Sequence, residues 1–204
     1  AAAVAKAAES TDFYTHQIEN SCRLNEPDDA GFNFTMGTPT DTKKWAMGMW
    51  LKRSIIAESA EPTLFQTVIS GGGSGQAIFT SGDKLKINRS VDDEIERETS
   101  AVFRDTGAWM QIVIIIDTTQ GTAGDRIKVY QNGTQITAFG TSNDPTEDGA
   151  VTYNTSGNAL YIGRNYWADS LGGYIAQVFG VDGQDVSITD FGTSKNGVWI
   201  PNDL

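Results

Sequence analysis

Short apolar runs separated by polar and glycine-rich turns recur along the chain, and the clearest example lies near its centre. Trp109 to Asp117 is β-branched and apolar, but it is too short for a membrane helix, which needs roughly 20 residues. Arg126 to Gln131 alternates polar and apolar residues, and Asn132-Gly133 suits a two-residue type I′ turn, in which both residues need a positive φ. Thr134 to Phe139 follows as the partner strand. The pattern therefore predicts three successive strands, with the apolar run as a central strand of one sheet.

Similar runs predict strands before and after this meander. The run KKWAMGMWLKRS places Trp45, Met47 and Met49 on one face and further apolar residues on the other, which indicates a buried central strand. Ser187 to Phe191 predicts one short helical turn, whereas residues 140–150 form a long acidic loop by composition. Other expected strands are Phe13 to Asn25 near its C-terminal end, Gly31 to Met36, Leu64 to Ser70, Gln76 to Thr80, Leu85 to Asn88, Ile95 to Phe103, Ala159 to Gly163 and Tyr174 to Val181. About a dozen short strands predict an all-β fold, an antiparallel two-sheet sandwich or jelly roll.

Length and composition narrow the class of protein. The 204 residues suffice for one sizeable core, so we expect a single domain over residues 13–204. Residues 1–12 are expected to be an N-terminal arm or linker; they are rich in Ala and lack the apolar segment of a signal peptide. The net charge of -11 argues against nucleic acid as a partner. The single Cys22 excludes an internal disulfide framework and leaves the compartment open.

Several separated stretches, taken in order, carry a more specific signal. They are FYTHQIENSCRLN and WAMGMWLKRS in the N-terminal part, AVFRDTGAW and DTTQGTAGDRIKVYQNGTQITAF in the centre, and YIGRN and GGYIAQVFGVDGQDVSITDFGTSKNGVWIP toward the C-terminus. Over roughly residues 13–201, the chain resembles the laminin-G-like, concanavalin A-like jelly-roll proteins that are frequent in marine bacteriophage genomes. Cys22 stands where this family usually has Leu, and the Ala-rich arm lies outside the shared pattern.

This resemblance implies a concanavalin A-like double-sheet jelly roll and a non-enzymatic structural protein of the virion, such as a capsid decoration, head fibre or tail fibre component. The implied partners are other virion proteins and further copies of the chain in a homo-oligomer, at the surface of the extracellular particle. Binding of host-surface glycans is the implied local activity, and no catalytic residues, nucleic acid or membrane insertion are implied. The alternatives are a secreted or cell-surface carbohydrate-binding module and, less favoured, a glucanase-like glycoside hydrolase.

The sharpest enzymatic candidate is Asp92 to Glu98, because a strand would place Glu94, Glu96 and Glu98 on one face. Retaining glycosidases use two carboxylates about 5 Å apart. The spacing resembles the E-x-D-x-x-E strand of laminarinase-type glucanases, which share the jelly-roll architecture. Glu96 stands in place of the Asp of that pattern, however, and Arg97 occupies a position that should be apolar and buried. We therefore favour a solvated edge strand whose charges protect it against pairing.

Other residues with chemical potential have structural interpretations as well. His16 is the only histidine, so a Ser-His-Asp triad would depend on it, and a lone histidine is usually structural. Cys22 is expected to be a small buried side chain. No cofactor is predicted, although acidic loops at the rim of a sandwich suit calcium, which prefers hard oxygen ligands. The residues that would supply them are Asn143, Asp144, Glu147 and Asp148, or Asp117 and Asp125, which we expect to be solvated loop residues.

Glycan recognition has the best-defined candidate residues. Sugars stack a C–H face on an aromatic ring and hydrogen-bond through their hydroxyls to amides and carboxylates. Two loops combine such groups, and the candidates are Tyr153 and Asn154 in the first and Asn165, Tyr166, Trp167 and Asp169 in the second. The competing interpretation is that Tyr166 and Trp167 pack against a neighbouring chain or their own sheet. We expect any local function in the loops at residues 141–158 and 164–173, or on a surface that meets neighbouring subunits.

Overall fold

In the computed structural model of the chain, residues 13–57, 61–68, 74–89, 95–167 and 169–204 are described. This part forms two antiparallel sheets that face each other, with a short hairpin and one short α-helix beside them. The predicted all-β, two-sheet jelly roll is confirmed. No helix within these ranges has the length and apolarity to cross a membrane. The arm predicted at residues 1–12 and the candidate Glu94 lie outside the described residues.

Six strands form one sheet and seven form the other, and we number them in chain order. The six-stranded sheet runs, in spatial order, β1 (Cys22–Leu24), β13 (Gly173–Asp182), β3 (Lys44–Arg53), β8 (Met110–Asp117), β9 (Ile127–Gln131) and β10 (Thr134–Ile136). The seven-stranded sheet runs β11 (Phe139–Asn143), β7 (Glu96–Val102), β6 (Lys84–Arg89), β5 (Ser74–Phe79), β4 (Thr63–Val68), β12 (Ala159–Ile162) and β2 (Phe32–Thr35). The remaining elements are the helix α1 (Ile188–Phe191), the hairpin β14 (Gly192–Lys195) and β15 (Val198–Pro201), and short 3-10 helices at Glu26–Asp28, Ala123–Asp125 and Thr152–Asn154.

The main hydrophobic core lies between the two sheets, because alternate side chains of each strand point inward. As the sequence predicted, Trp45, Met47 and Met49 of β3 all point into it and are buried. β3 lies between β13 and β8, and β8 lies between β3 and β9, so both predicted central strands are confirmed. The other sheet contributes Phe65, Phe79, Leu85 and Ile87 from β4, β5 and β6.

The C-terminal segment covers one half of the outer face of the six-stranded sheet. Phe191 of α1 stacks on Phe179 of β13, with ring centroids 4.3 Å apart. Phe191 also forms a second buried cluster with Ala46 of β3 and Val113 of β8. The predicted helical turn is therefore confirmed as α1, and it accounts for the apolar residues on the outer side of β3 and β8.

The predicted central meander is confirmed only in part. Asn132 and Gly133 join β9 to β10 with φ angles of 47° and 74°, as a type I′ turn requires. Phe139, however, leaves this sheet and begins β11 on the opposite one. The acidic loop predicted from residue 140 onward begins later than expected, because residues up to Asn143 pair with β7.

Candidate functional site

The second predicted glycan loop follows β12 and is closed on itself. The Asp169 N–H donates to Asn165 Oδ1 at 2.9 Å, and Asn165 Nδ2 donates to the Asp169 carboxylate at 2.6 Å. A β-bridge between Arg164 and Ser170 joins the two ends of the loop. We call residues 164–167 and 169–170 the aromatic loop. Because both polar atoms of the Asn165 side-chain amide serve this clamp, Asn165 and Asp169 hold the shape of the loop.

The clamp presents two aromatic rings at the protein surface. Tyr166 is 55% exposed and Trp167 is 68% exposed. Their ring centroids lie 5.6 Å apart at an interplanar angle of 89°. Tyr161 of β12 supports Tyr166 from below with a second edge-to-face contact of 6.0 Å. The indole of Trp167 is thus held beside a buttressed phenol while most of its surface faces solvent.

Polar side chains cross the outer face of the seven-stranded sheet beside this loop. The strand register aligns one residue per strand, and these residues, called the polar row below, are Tyr161, Gln66, Gln76, Asn88, Glu96 and Asn143. The Tyr166 N–H donates to Gln66 Oε1 at 2.8 Å, so the aromatic loop is fastened to the row. Gln66 Nε2 donates in turn to Gln76 Oε1 at 2.9 Å. Sequence reasoning missed this row, although LFQTV, GQAIF and KLKIN each place a polar residue beside a core residue.

Asn88, in the middle of the polar row, has an unused hydrogen-bond acceptor. It is 6% exposed, and its Oδ1 has no hydrogen-bond partner among the described residues. Leaving a buried polar atom without a partner costs about 1–3 kcal/mol. A ligand hydroxyl that donates to this oxygen would therefore be favoured.

The carboxylates of β7 lie on the same outer face but are paired. Glu96 and Glu98 point outward together, as predicted, and accept from Lys86 and Lys84 at 2.9 Å each. The hydrogen bond from Lys86 to Glu96 raises the pKa of Lys86. β7 lies between β6 and β11, so the prediction of an edge strand is wrong: its charges are neutralised by cross-strand lysines instead. Glu94, the third member of the set, is outside the described residues.

Arg97 projects from the opposite face of β7 into the interior. Its guanidinium donates to the carbonyl of Asn143 at 3.2 Å and also pairs with the carboxylate of Asp144. The guanidinium carbon lies 5.3 Å from the ring centroid of Phe139. Arg97 sets this strand apart from the glucanase pattern. Although it is buried, its charge is paired with Asp144 and its guanidinium is hydrogen-bonded.

Burial removes Tyr153 and Asn154 from the candidate glycan-binding residues. Tyr153 is 0% exposed, stacks on Trp45 with centroids 5.0 Å apart, and donates its hydroxyl to the carbonyl of Asn88 at 3.0 Å. Burial also raises the pKa of Tyr153. Asn154 is 1% exposed and donates to Asp182 Oδ1 at 2.8 Å. The expectation for this pair was wrong because a ring packed between the sheets offers no face to a sugar.

The acidic rim residues considered for calcium are held by neighbouring groups. Burial would raise the pKa of Asp117, but hydrogen bonds from Thr119 and Gln120 lower it below its ordinary value. Within the described ranges, no three His, Cys, Asp or Glu side chains cluster as metal ligands would. The contacts are Asp144 with Arg97, Glu147 with Arg126, Asp148 with Lys43, Asp125 with Lys128, and Asp117 with Thr119 and Gln120.

The two remaining sequence candidates are peripheral to this face. His16 lies with its Nδ1 3.6 Å from the carboxylate of Asp203, in the irregular segment before β1. Cys22, at the start of β1, is half-buried and packs against the main core. Neither residue contributes to the aromatic loop or the polar row.

Comparisons with known proteins agree with the fold described above. Residues 27–179 match a family model described as the concanavalin A-like lectin/glucanases superfamily. A comparison with curated protein sequences finds no match.

Solved structures share the fold at low sequence identity. Domain 4 of AbnA, an extracellular GH43 arabinanase from Geobacillus stearothermophilus solved in complex with arabinotriose, is 16% identical with a TM-score of 0.56, over 80% of this chain and 70% of that one. Domains LG4-5 of the mouse laminin α1 chain are 10% identical with a TM-score of 0.55, over 86% of this chain and 46% of that one. A heptameric SAP-like pentraxin from Limulus polyphemus is 14% identical with a TM-score of 0.50, over 74% of this chain and 69% of that one. At these identities, the likeness shows the fold alone.

Proposed function

Since the chain belongs to the concanavalin A-like lectin/glucanases superfamily, we propose that it is a non-enzymatic glycan-binding protein. One observation carries this proposal: Trp167, 68% exposed, stands beside Tyr166 on a loop that is clamped by its own hydrogen bonds. Large aromatic side chains that remain exposed on a rigid support beside polar groups mark binding surfaces. The aromatic loop and the polar row together form the proposed site.

In the proposed mode of binding, the rings supply contact area and the sheet supplies hydrogen bonds. The indole of Trp167 stacks on the apolar face of a sugar ring, and Tyr166 forms a wall perpendicular to it. Asn88 Oδ1 accepts from a sugar hydroxyl, which would give this buried oxygen the donor that it lacks among the described residues. Asn165 and Asp169 act as positioning residues, because a loop that is ordered before binding loses less entropy when the ligand arrives.

Binding without hydrolysis is supported by the pairing of the β7 carboxylates. A retaining glycosidase needs one carboxylate free to attack and a second one free to exchange a proton. Glu96 and Glu98 are instead held by lysines at 2.9 Å, in a cross-strand arrangement that neutralises both. The arabinotriose complex of the arabinanase domain supports a saccharide as the class of ligand that this fold accommodates.

The decisive experiment is a glycan array probed with the wild-type chain, Trp167→Ala and Trp167→Phe. We expect the wild type to bind a subset of glycans, Trp167→Ala to lose the signals that depend on the aromatic loop, and Trp167→Phe to keep a part of them, since phenylalanine preserves a ring face. Circular dichroism spectra should be the same for all three, because Trp167 is exposed. An array in which Trp167→Ala weakens none of the signals would contradict the aromatic loop as a site, and an array without any signal would contradict glycan binding.

We also propose a location for this activity: the surface of a bacteriophage particle, where the chain would serve as a capsid decoration, head fibre or tail fibre component. The support is the resemblance of its separated motifs, over roughly residues 13–201, to jelly-roll proteins of marine bacteriophages. In such a particle, other virion proteins and further copies of the chain would be its partners. Mass spectrometry of purified particles, followed by immunogold labelling, tests this location; absence of the chain from the particles would overturn it without touching the glycan proposal.

A further inference from the structure

A groove of about 620 Å³ lies on the outer face of the six-stranded sheet, on the half that the C-terminal segment leaves open. Trp50 of β3 and Ala176 of β13 pair in register and form its floor. Trp109, just before β8, and Trp199 of β15 line it as well, and residues 14 and 16–21 pass along it. The groove therefore faces away from the aromatic loop, which belongs to the other sheet.

Two of the three indoles are fixed in place by neighbouring groups. Trp199 Nε1 donates to Gln111 Oε1 at 2.7 Å, and Gln111 is the register partner of Trp50 on β8. The Trp199 ring lies so close to Gly133 that a Cβ built there would be 2.3 Å from a ring carbon. Trp109 is 38% exposed and rests against Tyr174, with ring centroids 6.4 Å apart. The groove thus presents preorganised aromatic surface.

Trp50 differs from the other two indoles because its polar atom is unsatisfied. It is 8% exposed, and its Nε1 has no hydrogen-bond partner among the described residues. Buried indole N–H groups usually find an acceptor, so a ligand oxygen that accepts from this donor would be favoured. Residues 14 and 16–21, which line the groove, contain no helix or strand.

We propose that this groove is a second binding site, and that its ligand is a neutral oligosaccharide. Trp109 and Trp199 offer ring surface, an oxygen acceptor would satisfy the buried Trp50 N–H, and Glu19 and Asn20 add polar groups for hydroxyls. The volume falls within the range of about 300–1,000 Å³ that is typical of small-molecule sites. A net charge of -11, with Glu19 at the groove itself, disfavours an anionic ligand. This site does not depend on the aromatic loop, since the two lie on different sheets.

The test uses the full chain and titrates cellohexaose, laminarihexaose and arabinohexaose by calorimetry and tryptophan fluorescence, alongside an array of neutral and acidic glycans. Trp109→Ala removes a half-exposed ring, and we expect binding of the neutral ligand to weaken at least about tenfold. Trp50→Phe keeps a ring but removes the N–H donor, and we expect a loss of about fivefold to tenfold. Phe34→Ala removes another exposed aromatic side chain, on β2 of the other sheet; it is the control and should bind as the wild type does.

Trp167→Ala separates the two sites. Neutral glycan binding that falls in Trp109→Ala but persists in Trp167→Ala supports the groove, whatever becomes of the aromatic loop. Binding that only Trp167→Ala removes overturns the groove and leaves the first proposal standing. The assignment of a neutral saccharide would be overturned if Trp109→Ala weakened the binding of no neutral glycan, or if only acidic glycans bound in the groove. It would also be overturned if light scattering showed a doubled mass that Trp109→Ala abolishes.

Discussion

Tyr153 and Trp167 have similar sequence surroundings and opposite environments. The segments TYNT and RNYWAD both combine aromatic residues with Asn, yet Tyr153 is 0% exposed and Trp167 is 68% exposed. The difference arises at Gly75 of β5, where the absence of a side chain lets the Tyr153 ring approach; a Cβ there would lie 2.8 Å from it. This contact joins positions that are distant along the chain, so the sequence predicted which residue types could bind a sugar but not which of them remain exposed.

Tyr153→Phe tests the interior role of this residue. The variant keeps the ring between the sheets but leaves the Asn88 carbonyl without the hydroxyl that donates to it at 3.0 Å. We expect the free energy of unfolding to fall by about 1–2 kcal/mol in urea denaturation, with glycan-array signals unchanged. A stable Tyr153→Phe variant that loses glycan binding would contradict a purely interior role for this residue.

Asp83 shows how a buried charge is retained inside a small sandwich. Its carboxylate accepts from the Ala57 N–H at 2.8 Å and from Arg104 Nε at 2.8 Å, and it pairs with the buried Arg53 at 3.0 Å. Burial alone would raise the pKa of Asp83, but these donors and charges lower it below its ordinary 3.8. The folded chain therefore holds on to a proton less readily than the unfolded chain, and this group stabilises the fold above about pH 4.

The pH dependence of unfolding checks this arrangement. Because the folded pKa is the lower one, the stabilisation from Asp83 is lost as the pH falls through that folded value. Asp83→Asn removes the carboxylate charge that pairs with the buried Arg53, so we expect a loss of about 3 kcal/mol at neutral pH and a smaller loss near pH 3. Asp148→Asn, which removes the exposed pair with Lys43, is the control and should change little at either pH. Equal losses at both pH values for Asp83→Asn would contradict the assignment.

At the scale of elements, turn chemistry was predicted better than strand position in the sheets. The Asn132-Gly133 turn follows from two residues, because local φ requirements decide it. The location of β7 inside its sheet does not follow from its own sequence. Charged residues suit an edge strand, and they equally suit an interior strand whose neighbours supply lysines. The sequence did not predict β11, because GTSN is polar and the pairing of β11 with β7 shifts register between Phe139 and Thr141. Pairing of this kind depends on partners that are distant along the chain.

Two glycines separate backbone strain from packing in a single comparison. Gly133 and Gly157 have similar positive φ angles, 74° and 80°, but only Gly133 faces another side chain, the Trp199 ring. We expect Gly157→Ala to lower the free energy of unfolding by about 1 kcal/mol through strain alone. Gly133→Ala should lose about 1–3 kcal/mol more, because the ring must move. Urea midpoints measure both, and equal losses would contradict close packing of Trp199 on the turn.

At the scale of the whole molecule, the recurrence of short strands and turns sufficed to predict a two-sheet jelly roll, because few other architectures bury so many half-apolar strands. The order of strands within the sheets brings β1 beside β13 and β2 beside β12, and the sequence pattern contains no information on these distant pairs. The polar row and the groove both arise from that order. Each assembles residues of several strands on one outer face, so neither could be found by reading the chain in sequence.

If both outer faces bind glycans, a single chain carries two sites that point in opposite directions, and it should cross-link glycan-coated beads while it is a monomer. Two sites on one rigid body engage two surfaces at once, which raises the strength of attachment far above that of either site. We expect bead aggregation with the wild type and none with Trp167→Ala or Trp109→Ala, although each variant still binds beads through its remaining site. Light scattering must confirm a monomer mass in each sample, because an oligomer would cross-link through copies of one site. Bead aggregation by a monomeric Trp109→Ala variant would contradict a chain with one binding site on each outer face. Loss of aggregation in both variants would show that both faces take part.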